Sequence, residues 1–307
     1  MSVGMRPLRV IEFFAGMGGW RRALGRGAVL AAAYDISPPA LATYARLWGE
    51  RPIARELATL PAAELLRHGA DTWVMSPPCQ PFCRMGHRKD LEDPRSRAFV
   101  HLMDLLAEHP PERLALESVV GFLGSDAHAL LAARLREGGF QAREYTLDPM
   151  RFGLPNLRPR VFVVASRRGL ADRAVPDLPP APLRGFLDSV EDPGLYLGEA
   201  LRHRPGLDLV TADATRTACF IGGYGRRFVG SGSFLETERG VRRFSVAETA
   251  RLLGWDPVPA FPEEVNAEGR YKLLGNGLSI PVAAWVLAQV SGPPQLSLPK
   301  PSDSHSK

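Results

Sequence analysis

Apolar residues over the first 170 positions fall into short runs that alternate with segments of helical period. "LRVIEFF" (8–14), "AVLAAAY" (28–34), "TWVMS" (72–76), "RLALES" (113–118), "FQAREYTL" (140–147) and "RVFVVAS" (160–166) read as strands. Between them "SPPALATYARLWG", "PAAELLRHG", "SRAFVHLMDLLAEH" and "DAHALLAARLREGG" read as helices, several opened by Ser, Asp or Pro and closed by Gly. This alternation predicts an α/β fold, a doubly wound and mostly parallel sheet, over residues 1–169. From Leu170 the sequence turns proline-rich and weakly periodic, so a second, smaller domain is expected over 170–267. An apolar helical pattern then returns over 268–292 to pack on the first domain, and 293–307 has the composition of a disordered tail.

Composition narrows the chemistry only a little. The formal charge of +5 over 307 residues permits an anionic partner without requiring one. No apolar run approaches twenty residues and the N-terminus lacks the layout of a secretion signal, so a cytoplasmic protein with no membrane partner is expected. Three cysteines, Cys79, Cys83 and Cys219, imply reduced thiols rather than a disulfide framework. Without a second cysteine pair or nearby histidines, no metal site is expected.

"VIEFFAGMGGWRRAL" sets a glycine-rich turn between a strand and a helix, where backbone amides can approach a ligand; tight packing alone also requires glycine there. Asp35, at the end of the next strand, is placed to accept from ribose hydroxyls or to cap the helix that follows. The turn lacks the dinucleotide glycine spacing and any Lys-Ser or Lys-Thr pair, which favours an adenosine-type cofactor without a polyphosphate.

In "SPPCQPFCRMGHRKD" (76–90), Pro77, Pro78 and Pro81 stiffen the backbone around Cys79, at the carboxyl end of the third strand. An inert cysteine in a proline turn fits these residues as well as a nucleophile does. Glu117 ends the next strand on the same edge, and Arg158 and Arg160 open a later one. A thiol, a carboxylate and two guanidinium groups therefore share a rim with the glycine turn, a combination far more specific than its members.

In order along residues 8–290, these elements resemble the cytosine C5 methyltransferases. The matching motifs are Phe14 to Gly18, Pro78-Cys79-Gln80, Glu117-Ser118-Val119, Asn156-Leu157-Arg158-Pro159-Arg160 and Gly275-Asn276, with "RRFSVAETARLLGWD" before the last. Ser118 stands where the family has Asn, and Asn156 where it has Gln. The resemblance implies a methyltransferase fold with a target-recognition domain, S-adenosylmethionine as cofactor and S-adenosylhomocysteine as product. It implies Cys79 as the nucleophile toward cytosine C6, Glu117 on the N3 and N4 edge of the base, and Arg160, with Arg158, holding the base carbonyl and the cysteine loop. Phe14, Gly16, Met17, Gly18, Gly19, Asp35, Glu56, Leu57, Ser76 and Asn276 fall on positions lining the methyl donor's pocket.

Three stretches resemble the branch of that family that methylates an anticodon-loop cytosine of transfer RNA. They are "MSPPCQPFCRMG" with "EDPRS", "FGLPNLRPRVFVVA", and "CFIGGYGRRFVGSGSFL" (219–235), in which Ile221 replaces a threonine. Transfer RNA is therefore the expected partner, bound by a monomer. A sequence-specific DNA cytosine methyltransferase and an inactive nucleic-acid-binding relative are the alternatives. Arg84, Arg88, Lys89, Arg226, Arg227 and Arg239 are candidates for phosphate contacts, or simply a solvated surface.

Overall fold

The computed structural model describes residues 7–25, 28–78, 91, 93, 96–190, 192–198 and 201–290. The larger lobe runs β1 (Leu8–Phe13), α1 (Gly19–Ala23), β2 (Ala28–Asp35), α2 (Pro38–Trp48), β3 (Ile53–Ala54), α3 (Ala62–Arg67), β4 (Thr72–Met75), α4 (Arg97–Glu108), β5 (Arg113–Val119), α5 (Asp126–Glu137), β6 (Gln141–Leu147) and β7 (Arg160–Ser166). These strands form one sheet in the order β3-β2-β1-β4-β5-β7-β6. The pairs from β3 through β5 are parallel, and β7 alone runs against both neighbours.

Strand residues alternate between two cores because side chains project to opposite faces with period two. Ile11, Phe13, Trp73, Met75, Val161 and Val163 enter one core, closed by α3, α4 and α5. Val10, Val74, Ala115, Phe162 and Val164 enter the other, closed by α1 and by α8 (Ile280–Val290). All four residues of β4 are buried, as expected of a central strand covered on both faces. β6, at the sheet's edge, alternates exposed and half-buried positions until Leu147.

The helix boundaries follow capping chemistry. Pro38 opens α2, and Gly49 closes it in the left-handed region at φ 72. The Ser125 hydroxyl accepts from the His128 amide at the start of α5.

The smaller lobe contains a three-stranded sheet, β10-β9-β8, of β8 (Asp208–Val210), β9 (Ser233–Thr237) and β10 (Gly240–Arg242). Phe220, Tyr224, Phe234, Val241 and Phe244 make its own core, joined by Leu252 and Tyr271. Next come α6 (Val246–Arg251), α7 (Ala267–Gly275) and α8. In α6, Ser245 and Glu248 form a reciprocal capping box, and Glu248 also makes a buried two-pronged pair with Arg242 at 2.8 Å per contact. The stretch Ala267–Val290 is apolar enough to pass for a membrane span, yet 67% of its most apolar window is buried inside the fold. Residues 293–307, expected to form a disordered tail, lie outside the described residues.

Candidate active site

Parallel β1, β2, β4 and β5 deliver their carboxyl ends to one edge, where an open α/β sheet binds ligands. After β1, Phe14 takes a positive φ of 54, and Gly16 and Gly18 take 56 and 85. A Cβ on Gly18 would stand 2.4 Å from Trp48 Nε1, whereas one on Gly16 would meet nothing within 4 Å. Gly18 is thus required by packing, while Gly16 faces open space where a ligand can approach the backbone. Asp35 holds the turn from the neighbouring strand: its Oδ2 accepts from the Gly16 amide at 2.7 Å and its Oδ1 from the Ser37 amide at 2.8 Å. The helix-entry reading of Asp35 is met here, since one carboxylate steadies both the α2 entry and the glycine turn, and it remains half-buried.

The Met17 carbonyl accepts from Trp48 Nε1 at 3.2 Å, and Gly19 opens α1. Leu57 is buried, and Glu56 is exposed with its Oε1 accepting from the Ala58 amide. Asn276 is exposed at the end of α7.

Sequence reasoning passed over Glu12, directly beneath this turn. Its Oε1 accepts from the Trp20 amide at 3.0 Å and its Oε2 from the Tyr44 hydroxyl at 3.3 Å. It has no solvent exposure, and burial pushes its carboxyl up to about 8 against the opposing pull of those hydrogen bonds. A charged residue inside the apolar run "VIEFF" was the available signal.

Glu117 and Arg160 meet through sheet register. Val119 pairs with Arg160 and Glu117 with Phe162, so Arg160 lies diagonally across from Glu117 on the same face. Arg160 Nε stands 3.3 Å from Glu117 Oε1. The Ser76 hydroxyl, one residue past β4, also donates to Glu117 and accepts from the Trp20 indole N–H at 3.0 Å. Burial raises the Glu117 carboxyl above its ordinary value, opposed by Arg160, Arg158 and Ser76. Glu117 therefore holds a proton more readily than an exposed glutamate, although a guanidinium is close by.

Arg158, expected to act beside Arg160, turns its guanidinium to backbone carbonyls. Its Nη1 donates to the Phe220 carbonyl at 2.9 Å, and its Nη2 donates to the Gly275 and Gly277 carbonyls at 2.9 and 2.7 Å. It is buried and ties three chain segments together across the lobes. The joint is tight, because a Cβ on Gly275 would fall 2.3 Å from the backbone of Ile221 and Gly222. Cys219 Sγ lies 3.4 Å from Arg158 Nη1 and 3.8 Å from Arg160 Nη2. Asn156 is likewise structural, donating to the Leu252 carbonyl at 3.1 Å. The Ser118 hydroxyl is buried without a hydrogen-bond partner among the described residues. Cys79, Arg84, Arg88 and Lys89 lie outside the described residues.

The sequence profile of C-5 cytosine-specific DNA methylases matches residues 8–186. The chain belongs to that family. This C-5 cytosine methylase is 28% identical to the human tRNA (cytosine(38)-C(5))-methyltransferase over 92% of its own length and 99% of the relative's. It is 29% identical to the Schizosaccharomyces pombe protein of the same description, over 94% and 98%. The solved structure of S. pombe Dnmt2 methyltransferase superposes with a TM-score of 0.83 at 29% identity, covering 92% of this methylase and 97% of that chain. The seven-stranded sheet with a single reversed strand is thus the methylase fold, and the rim carrying Glu117, Arg160 and the glycine turn is its candidate active site.

Proposed function

We propose that this methylase transfers a methyl group from S-adenosylmethionine to C5 of a cytosine in the anticodon loop of transfer RNA. The observation that carries this reading is the match to tRNA cytosine methyltransferases along 92% and 94% of the chain, which extends past the larger lobe into the smaller one.

The residues of the turn fit the cofactor. A half-exposed Asp35 carboxylate, open space at Gly16 and buried Leu57 suit an adenosine group, and the turn holds no lysine for a polyphosphate. S-adenosylmethionine supplies an electrophilic methyl group carried on sulfur. Cys79 attacks cytosine C6, and Glu117 gives N3 the proton that offsets the charge entering the ring. C5 would then be nucleophilic enough to accept that methyl group, with S-adenosylhomocysteine as the leaving group; release of the C5 proton to a base and return of the N3 proton to Glu117 would restore the ring as the Cys79–C6 bond breaks and the thiolate is regenerated. Arg160 steadies Glu117 from one side and Ser76 from the other. A stacked base conceals C5 and C6, so the target must be unstacked, as a loop cytosine is more readily than one in a duplex.

Purified protein with isotopically labelled methyl donor is expected to label transfer RNA far more than duplex DNA, with the label mapping to one anticodon-loop cytosine. Equal or greater labelling of DNA reverses the assignment. Cys79→Ala is expected to abolish labelling while S-adenosylhomocysteine still binds.

A further inference from the structure

We infer that Arg204 and Arg243, which stand over the Phe228 ring on the smaller lobe, and the exposed Arg227 next to Phe228 in the chain form a corner that binds the phosphodiester backbone of the RNA. The inference rests on the reading of the substrate as transfer RNA.

Two guanidinium groups flank one ring. Arg204 Cζ lies 5.3 Å from the Phe228 centroid and Arg243 Cζ lies 4.7 Å from it, with Arg243 also 5.9 Å from Phe234. The two cations are therefore within about one Debye length of each other, roughly 10 Å at 0.1 M salt, and they repel. Among the described residues no carboxylate stands within ion-pair distance of Arg204, Arg227 or Arg243. Other arginines of this lobe differ: Arg226 meets Glu268 at 2.8 Å, Arg202 meets Glu236 at 3.3 Å, and Arg216 meets Asp208 at 3.6 Å. Arg204 and Arg243, held on an aromatic face with no carboxylate within ion-pair distance among the described residues, suit an anionic ligand.

One turn carries Arg227 and packs on the joint between the lobes. Ile221 and Gly222 pack on Gly275, at the joint Arg158 ties, and the Arg227 side chain lies against Gly223 in the same turn. Arg204 and Arg227 are exposed, and Val229 beside them is 49% exposed. A strand whose cytosine enters at Glu117 can continue across this turn. The structure also divides the arginines that the sequence grouped together: Arg226 has its own carboxylate, while Arg227 has none among the described residues.

The test is binding of an unmodified transfer RNA transcript, followed by fluorescence anisotropy between 50 and 200 mM salt. The double variant Arg204→Gln/Arg227→Gln is expected to bind at least about ten-fold more weakly, with the slope of log K against log[salt] reduced by about 0.7–0.9 per lost contact. Its melting temperature and S-adenosylhomocysteine affinity are expected to be unchanged, and Arg226→Gln is expected to lose much less. Arg243→Gln is a supporting variant only, because that side chain also packs on the lobe's core. Unchanged affinity and slope in the double variant, or an equal loss in Arg226→Gln, overturns the proposal. If the wild-type protein labels transfer RNA while the double variant binds it normally, the corner falls and the substrate reading stands. If the wild type labels only DNA, both fall.

Discussion

Arg160 Nε lies 3.3 Å from Glu117 Oε1, and the two side chains are only 17% and 10% exposed. The carboxyl is nonetheless raised by burial, so the pair combines a fixed positive charge with a group able to hold a proton. Glu117→Gln removes that proton at nearly constant volume, and kcat is expected to fall about 10²–10⁴-fold with cofactor affinity retained. Arg160 lowers the Glu117 carboxyl, so Arg160→Gln should move the alkaline limb of the pH–rate profile upward as well as slow the reaction. A limb that stays in place would detach Arg160 from the protonation of Glu117.

Arg158 should behave differently from its neighbour two residues on. Arg158→Lys cannot reach the Phe220, Gly275 and Gly277 carbonyls together, and it leaves buried acceptors unmade. A loss of about 3 kcal/mol in urea-unfolding stability is expected, against well under 1 kcal/mol for Arg160→Lys. Equal stability losses would remove Arg158 from the joint between the lobes.

Glu12 makes stability depend on pH. Its folded value of about 8 exceeds the ordinary 4.5, so the folded protein keeps a proton that the unfolded chain releases. The associated stabilisation is complete below pH 4.5, declines by about 1.4 kcal/mol per unit up to about pH 8, and does not change further above it. Glu12→Gln stays neutral throughout, so its stability relative to the parent should rise with pH across that window. Denaturant midpoints at successive pH values measure the difference; a flat difference would mean that Glu12 is ionised in the fold.

Gly16 and Gly18 separate ligand approach from packing. Gly18→Ala forces a Cβ to 2.4 Å from Trp48 Nε1 at a φ of 85 and should lower both the melting temperature and cofactor affinity. Gly16→Ala incurs only the left-handed strain, about 1–2 kcal/mol, but fills the open space; it should weaken S-adenosylhomocysteine more than it weakens the fold. Calorimetric titration beside thermal melting distinguishes the two.

The sequence by itself determined the larger lobe, because apolar period and capping chemistry are local. The buried run of β4, the Gly49 stop of α2 and the Ser125 cap of α5 each depend on residues a few positions apart. It also brought Glu117 and the glycine turn to one edge, since parallel strands share an end. It missed β3, which has two residues and both exposed, and it did not find the reversal of β7, because a buried strand reads the same in either direction. The three short strands β8, β9 and β10 escaped it too, being set among turns with little alternation. Tertiary structure alone separated Arg158 from Arg160 and Arg226 from Arg227. An arginine's role depends on which distant acceptor its guanidinium meets: carbonyls 62 to 119 residues away for Arg158, and the Glu117 carboxylate on the neighbouring strand for Arg160.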